Sequence, residues 1–153
     1  MSSSSVALNN TSKASAPSSI QLRRLLWVGP LTVVAAVVAV QIVRFIVVAL
    51  LPQASNAMQL SFMGISVVFT AVLVIGAVLV FALVARFAAK PIALYQRIAF
   101  IVLLLSFIPD ALLARSSMPG ASWPNSIALI VLHIVAWGVT VWMLTKLTVA
   151  DNQ

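Results

Sequence analysis

The stretch of residues 60–85 reads LSFMGISVVFTAVLVIGAVLVFALVA and contains no charged side chain. It is longer than the ~20 apolar residues that a helix needs to cross a bilayer core of ~30 Å. Similar apolar stretches precede and follow it, so the sequence predicts transmembrane helices at about 25–50, 60–85, 96–115 and 126–147. We therefore expect an all-α fold, a bundle of four transmembrane helices.

The composition excludes an ordinary soluble domain. Of the 153 residues, 63% are hydrophobic and only 7% are charged, whereas a soluble domain carries about 25% charged residues. Lipid must therefore be the solvent for most of this surface. Four helices use nearly the whole length, so we expect one membrane domain over residues 20–150 and no second, soluble domain.

The first 19 residues are rich in Ser, Ala and Asn and show no apolar periodicity. This composition predicts a disordered tail, which the charge distribution places in the cytoplasm. The apolar stretch that follows is longer than the 7–15 residues typical of a signal-peptide core. We therefore interpret it as a retained transmembrane helix.

Cysteine is absent from the chain, which excludes disulfides, thiolate metal sites and thiol redox chemistry. One His and one Asp in the membrane region fall short of the three protein ligands that zinc sites use. We therefore expect no metal and no cofactor. The net charge of +7 comes from residues dispersed at helix ends, a pattern typical of contact with anionic lipid rather than nucleic acid.

The basic residues also predict the orientation, because Lys and Arg favour cytoplasmic loops. Seven of the nine fall on one side of the predicted bundle: Lys13, Arg23, Arg24, Arg86, Lys90, Arg97 and Lys146. Both termini are therefore predicted in the cytoplasm, and the loops at 52–60 and 115–125 outside. The expected location is the inner, or plasma, membrane.

Several polar side chains lie inside the predicted helices, where they are costly and often functional. They are Gln41, Arg44, Ser66, Thr70, Ser106, Asp110 and His133. In the predicted topology all seven fall in the outer half of the bundle. We predict a buried polar cluster in which Arg44 pairs with Asp110, the one carboxylate of the membrane region, with His133 nearby.

Each of these residues also has a simpler interpretation. Arg44 is close enough to a helix end to extend its charge to the interface, and Asp110 follows Pro109 near the end of a helix. A neutral His133 can hydrogen-bond to a neighbouring helix. The hydroxyl residues often bond to their own helix.

The second half of the chain resembles an uncharacterised family of small four-helix bacterial integral membrane proteins, a domain of unknown function. The resemblance lies in Arg97 at the opening of helix 3, the run VLLL at 102–105, SFIPD at 106–110 and VLHIV at 131–135. It implies the four-helix architecture and a bacterial inner membrane. It implies no activity.

Three functions are compatible with these features. The leading prediction is a non-enzymatic structural or partner-binding membrane protein, working as a homo-oligomer or within a larger membrane assembly. The alternative is a small oligomeric proton-coupled transporter or permease in which Asp110 or His133 titrates. A third is a membrane enzyme that acts on a lipid-soluble substrate with His133 as base and Asp110 as its orienting group.

The orientation is testable because the chain has no cysteine of its own. We expect Ser55→Cys to react with a membrane-impermeant maleimide only from outside the cell, and Ala89→Cys only from the cytoplasmic side. Both are single-cysteine proteins and serve as controls for each other. Labelling of position 55 from the inside alone would contradict the predicted topology.

Overall fold

A computed structural model describes residues 22–51, 62–117 and 121–149 of the chain. Four helices make up nearly all of this part: α1 (Leu22–Leu50), α2 (Met63–Phe87), α3 (Pro91–Ala114) and α4 (Trp123–Leu147). Each is long and apolar enough to cross a membrane, so the predicted all-α bundle of four membrane helices is confirmed. The predicted tail at 1–19, the loop at 52–60 and the turn at Met118–Gly120 lie outside the described residues.

Helices α3 and α4 begin earlier than predicted, and a proline lies in the first turn of each. Pro91 is the first residue of α3, and Pro124 is the second residue of α4. Proline suits a first turn because the N–H that it lacks would have no partner there. At α4 the Ser122 side chain also accepts a hydrogen bond of 3.3 Å from the backbone N–H of Asn125, a typical N-terminal cap.

The helices form a ring in which α1 packs against α2 and α4, and α3 packs against α4 and more loosely against α2. Arg24 on α1 donates a hydrogen bond of 3.3 Å to the carbonyl of Val149, just after α4. The start of α1 and the end of α4 therefore lie at the same end of the bundle. We call the half at this end the proximal half and the half toward the α1–α2 and α3–α4 connections the distal half.

Buried apolar side chains form one cluster in each half. The distal cluster comprises Val40, Ala128, Leu129 and Leu132. The proximal cluster comprises Leu25, Val28, Phe81, Tyr95, Val141 and Leu144. The outer faces are also apolar, with Trp27 85% and Phe45 74% exposed, as expected for surfaces that contact lipid chains rather than water.

Among the described glycines, Gly29 has the least space around it, because α1 lies close to α2 at this position. A Cβ atom built on Gly29 would lie 3.1 Å from Cγ1 of Val78, whereas one on Gly76 would meet nothing within 4 Å. Small residues allow this kind of close approach between membrane helices. The contact joins the two helices in the proximal half.

We expect Gly29→Leu to lower the melting temperature in detergent, because the larger side chain forces α1 and α2 apart at a cost of about 1–3 kcal/mol. Gly76→Leu is the matched control and should leave the melting temperature close to that of the wild type. Equal melting temperatures for the two variants would show that the α1–α2 contact at Gly29 is not tight.

Candidate functional site

His133 and Asp110 lie within ion-pair distance inside the bundle. Nδ1 of His133 on α4 lies 3.1 Å from Oδ2 of Asp110 on α3, and the two side chains are 31% and 10% exposed. The same nitrogen lies at hydrogen-bond distance, 2.9 Å, from the carbonyl oxygen of Leu129. Oδ2 of Asp110 itself is buried and has no hydrogen-bond partner among the described residues.

The local sequence helps to position the carboxylate. Asp110 lies in the last turns of α3 and directly follows Pro109, which is inside the helix. Proline has no backbone N–H, so the carbonyl one turn earlier lacks its usual helical partner. Pro109 thereby adds polarity beside Asp110 in a segment that is otherwise apolar.

A second polar contact joins α1 to α2 in the distal half. Nε2 of Gln41 donates a hydrogen bond of 3.1 Å to Oγ of Ser66, and Ser66 is buried. Both residues belong to the predicted polar cluster. Their hydrogen bond satisfies two groups that would otherwise be costly in hydrocarbon.

A cavity of about 230 Å³ brings several predicted residues together in the distal half. Ser66, Thr70, Asp110 and His133 all line it, and the rest of its lining is apolar, including Val40 and Leu132. We call it the distal cavity. Gln41 is joined to it through its hydrogen bond to Ser66.

The distal cavity opens at the bundle surface between α2 and α3. Phe69 and Leu73 on α2 line the cavity and are 64% and 59% exposed. Pro109 on α3 also lines it and is exposed. Because these side chains face the surroundings of the bundle, the opening is directed toward the bilayer rather than along the bundle axis.

The structure brings Asp110 to His133, and the predicted pairing of Arg44 with Asp110 stays a prediction. Arg44 is half-buried and has an interaction of its own. Because α1 and α3 each pack mainly on α2 and α4 rather than on each other, the helix that carries Asp110 is not a main neighbour of the helix that carries Arg44.

Ser106 lies outside the distal cavity. Its hydroxyl donates a hydrogen bond of 2.7 Å to the carbonyl of Leu103 in its own helix, one of the simpler interpretations given above. Ser106 lines a second cavity, of about 150 Å³, which His133 also lines. We call this the proximal cavity, and His133 is part of the lining of both.

Sequence reasoning missed three polar residues of the proximal cavity: Tyr95 on α3 and Trp137 and Thr140 on α4. The seven predicted polar residues all fall in the outer half of the bundle and do not include these three. Tyr95 is 1% exposed and Thr140 is 4% exposed. The available signal was the spacing on α4, where residues 133, 137 and 140 are three and four apart and so share one face.

The chemistry of the site follows from its one histidine and one carboxylate. Nδ1 of His133 and Oδ2 of Asp110 lie 3.1 Å apart and each belongs to a group that can take up or release a proton. A carboxylate in an apolar cavity can also attract a cationic guest. Within residues 22–51, 62–117 and 121–149, no group of three or more His, Cys, Asp or Glu side chains lies together. Proton exchange and ligand binding are thus the chemistry that these residues offer directly.

Comparison with family profiles shows that the chain belongs to a family of unknown function, DUF6069, whose match covers residues 18–150. This confirms the resemblance to an uncharacterised family. The comparisons with curated proteins and with solved structures found no match.

A double-mutant cycle tests the His133–Asp110 contact. We expect Asp110→Asn and His133→Gln each to lower stability in detergent, and the double variant to lose less than the sum. Interhelical hydrogen bonds in membranes have coupling energies of about 0.6 kcal/mol on average and at most about 1.7 kcal/mol.

The control cycle combines Asp110→Asn with Thr145→Val, since the Thr145 hydroxyl donates to its own helix, to the carbonyl of Val141 at 2.7 Å. These two changes should be additive. If Asp110→Asn and His133→Gln were also additive, the His133–Asp110 contact would make no net contribution to stability.

Proposed function

We propose that this member of the family is a non-enzymatic, proton-coupled permease of the bacterial inner membrane that binds a lipophilic cation at Asp110. The observation that supports the proposal best is the His133–Asp110 contact of 3.1 Å within a cavity that opens toward lipid. Protein carboxylates and histidines inside membranes commonly serve as proton relays.

The lining of the distal cavity supports a cationic and largely apolar guest. Its one described carboxylate is Asp110, and Val40, Phe69 and Leu132 offer apolar contact to the rest of the molecule. Desolvation of the carboxylate is costly unless it is paired or protonated. A bound cation or a proton can each meet that need, so the two compete for the same group.

The size of the chain supports an oligomeric assembly. A bundle of four helices with a cavity of about 230 Å³ leaves little room for a complete path across the membrane within one copy. We propose that two or more copies, embedded in the lipid bilayer, assemble to provide the path. No nucleic acid is needed as a partner, because the basic residues are spread over the helix ends.

A measurement of proton-coupled cation transport tests this function. The protein is reconstituted into liposomes that enclose a pH-sensitive dye and have an acidic lumen, so that the proton gradient is directed outward. Tetraphenylphosphonium is then added to the outside. We expect cation uptake coupled to proton efflux in the wild type and its loss in Asp110→Asn. Lys146→Gln also removes one charge, but at the exposed end of α4, and should transport like the wild type.

The same measurement separates the permease from the structural or partner-binding alternative. Unchanged proton flux and unchanged cation binding in Asp110→Asn would contradict the permease. If Asp110→Asn and His133→Gln then lowered only stability and the recovery of a co-purifying membrane protein, the pair would be a structural contact within an assembly.

A further inference from the structure

The proximal cavity contains three hydrogen-bonding side chains whose polar atoms lack a partner among the described residues. They are Oη of Tyr95, Nε1 of Trp137 and Oγ1 of Thr140, and each of these atoms is buried. Most buried polar atoms in native structures are hydrogen-bonded. Three such atoms from residues lining a single cavity indicate that something other than the described side chains satisfies them.

Thr140 differs in this respect from other buried threonines of the chain. The hydroxyls of Thr32 and Thr145 each donate to the carbonyl four residues earlier, at 2.7 Å, and Thr148 does the same to Leu144. This internal bond is the usual arrangement for threonine in a membrane helix. The Thr140 hydroxyl makes no such bond within the described residues, so its hydrogen-bonding capacity is unused there.

Aromatic packing orients the other two donors. The Tyr95 ring meets Phe81 edge to face, with centroids 4.9 Å apart. The Trp137 ring meets Phe100 at 6.4 Å and an interplanar angle of 64°. Such contacts restrict how the rings can turn, so both polar atoms stay in place when the cavity fills.

The chemistry of these groups selects an acceptor. The indole N–H of Trp137 can only donate, and the hydroxyls of Tyr95 and Thr140 both have a proton to donate. A carbonyl oxygen can accept from all three groups, whereas an ammonium group can bond to the two hydroxyl oxygens but not to the Trp137 N–H. The proximal cavity therefore differs in its preference from the distal cavity, where the Asp110 carboxylate favours a cation.

Water alone fits this cavity poorly. Its volume of about 150 Å³ could hold a few water molecules, but a buried water needs two to four polar partners. Most of the lining is apolar: Leu73, Val74, Ala77, Ala99, Val102, Leu103, Ala136 and Val141. A mainly apolar guest with one polar end matches this lining better.

The cavity opens toward lipid along the same seam as the distal cavity. Leu73 on α2 and Val102 on α3 line it and are 59% and 57% exposed. The seam follows the α2–α3 contact, the loosest between neighbouring helices of the ring. A molecule dissolved in the bilayer can therefore enter sideways without crossing an aqueous phase.

We propose that the proximal cavity is a second binding site, which takes the carbonyl-bearing end of a lipid-soluble molecule with Tyr95, Trp137 and Thr140 as hydrogen-bond donors. A quinone ring and the acyl ester of a phospholipid share this chemistry. The three donors of this site take no part in the proposed cation site, although His133 lines both cavities.

The test measures ligand binding to the purified full-length protein in detergent. The readout is the melting temperature of the protein as a function of ligand concentration. The probes are decylubiquinone and dihexanoylphosphatidylglycerol, each added separately. We expect at least one to raise the melting temperature, because a ligand that binds only the folded state stabilises it. The probe that does so identifies the source of the carbonyl.

The double variant Tyr95→Phe/Thr140→Val keeps the shape of both side chains and removes two donors. We expect its apparent affinity to fall about tenfold or more, since each lost hydrogen bond contributes about 0.5–1.5 kcal/mol. Thr145→Val is the matched control, because the Thr145 hydroxyl already bonds to its own helix. Its affinity for the probe should equal that of the wild type.

Asp110→Asn separates this site from the cation site. It should lose cation-driven proton efflux and still respond to the carbonyl probe with wild-type affinity. The proposal is overturned if neither probe shifts the melting temperature, or if the double variant binds the probe as tightly as the wild type does.

Discussion

The absence of water inside the bilayer is the physical constraint on which this structure depends. Each polar group placed there must find its partner within the protein or in a guest. The hydroxyls of Thr32 and Thr145 find their partners within one helix, and Nε2 of Gln41 finds Oγ of Ser66 on the neighbouring helix. Asp110 is the costliest group of this kind, and the one histidine of the chain lies against it.

Helix α4 organises the interior because it is the most buried of the four and packs against both α1 and α3. One face of α4 presents His133, Trp137 and Thr140 toward the two cavities. The opposing wall comes partly from α2, which packs less closely on α3. Both openings lie along the contact between α2 and α3. The looser packing of these two helices loses some dispersion contacts, and it also gives access from lipid.

The errors in the sequence prediction have identifiable physical causes. Helices α3 and α4 begin at Pro91 and Trp123 rather than near residues 96 and 126, because proline is accommodated in the first turn of a helix. Tyr95 was not among the predicted polar residues, and packing against Phe81 buries it in the bundle. Residue type alone does not distinguish an interfacial aromatic side chain from one that lines a cavity.

The sequence by itself determined the number of helices, their approximate extents and the polar residues that would have to be explained. These follow from the length of each apolar stretch, which is a local property. Only the tertiary structure decided that Asp110 meets His133, and that Tyr95, Trp137 and Thr140 line one cavity. The physical reason is that a membrane helix is mainly apolar on the side that faces lipid as well as on the side that faces its neighbours. The pattern of apolar residues therefore does not indicate which face turns inward or which helices become neighbours, and these choices emerge when the four helices pack together.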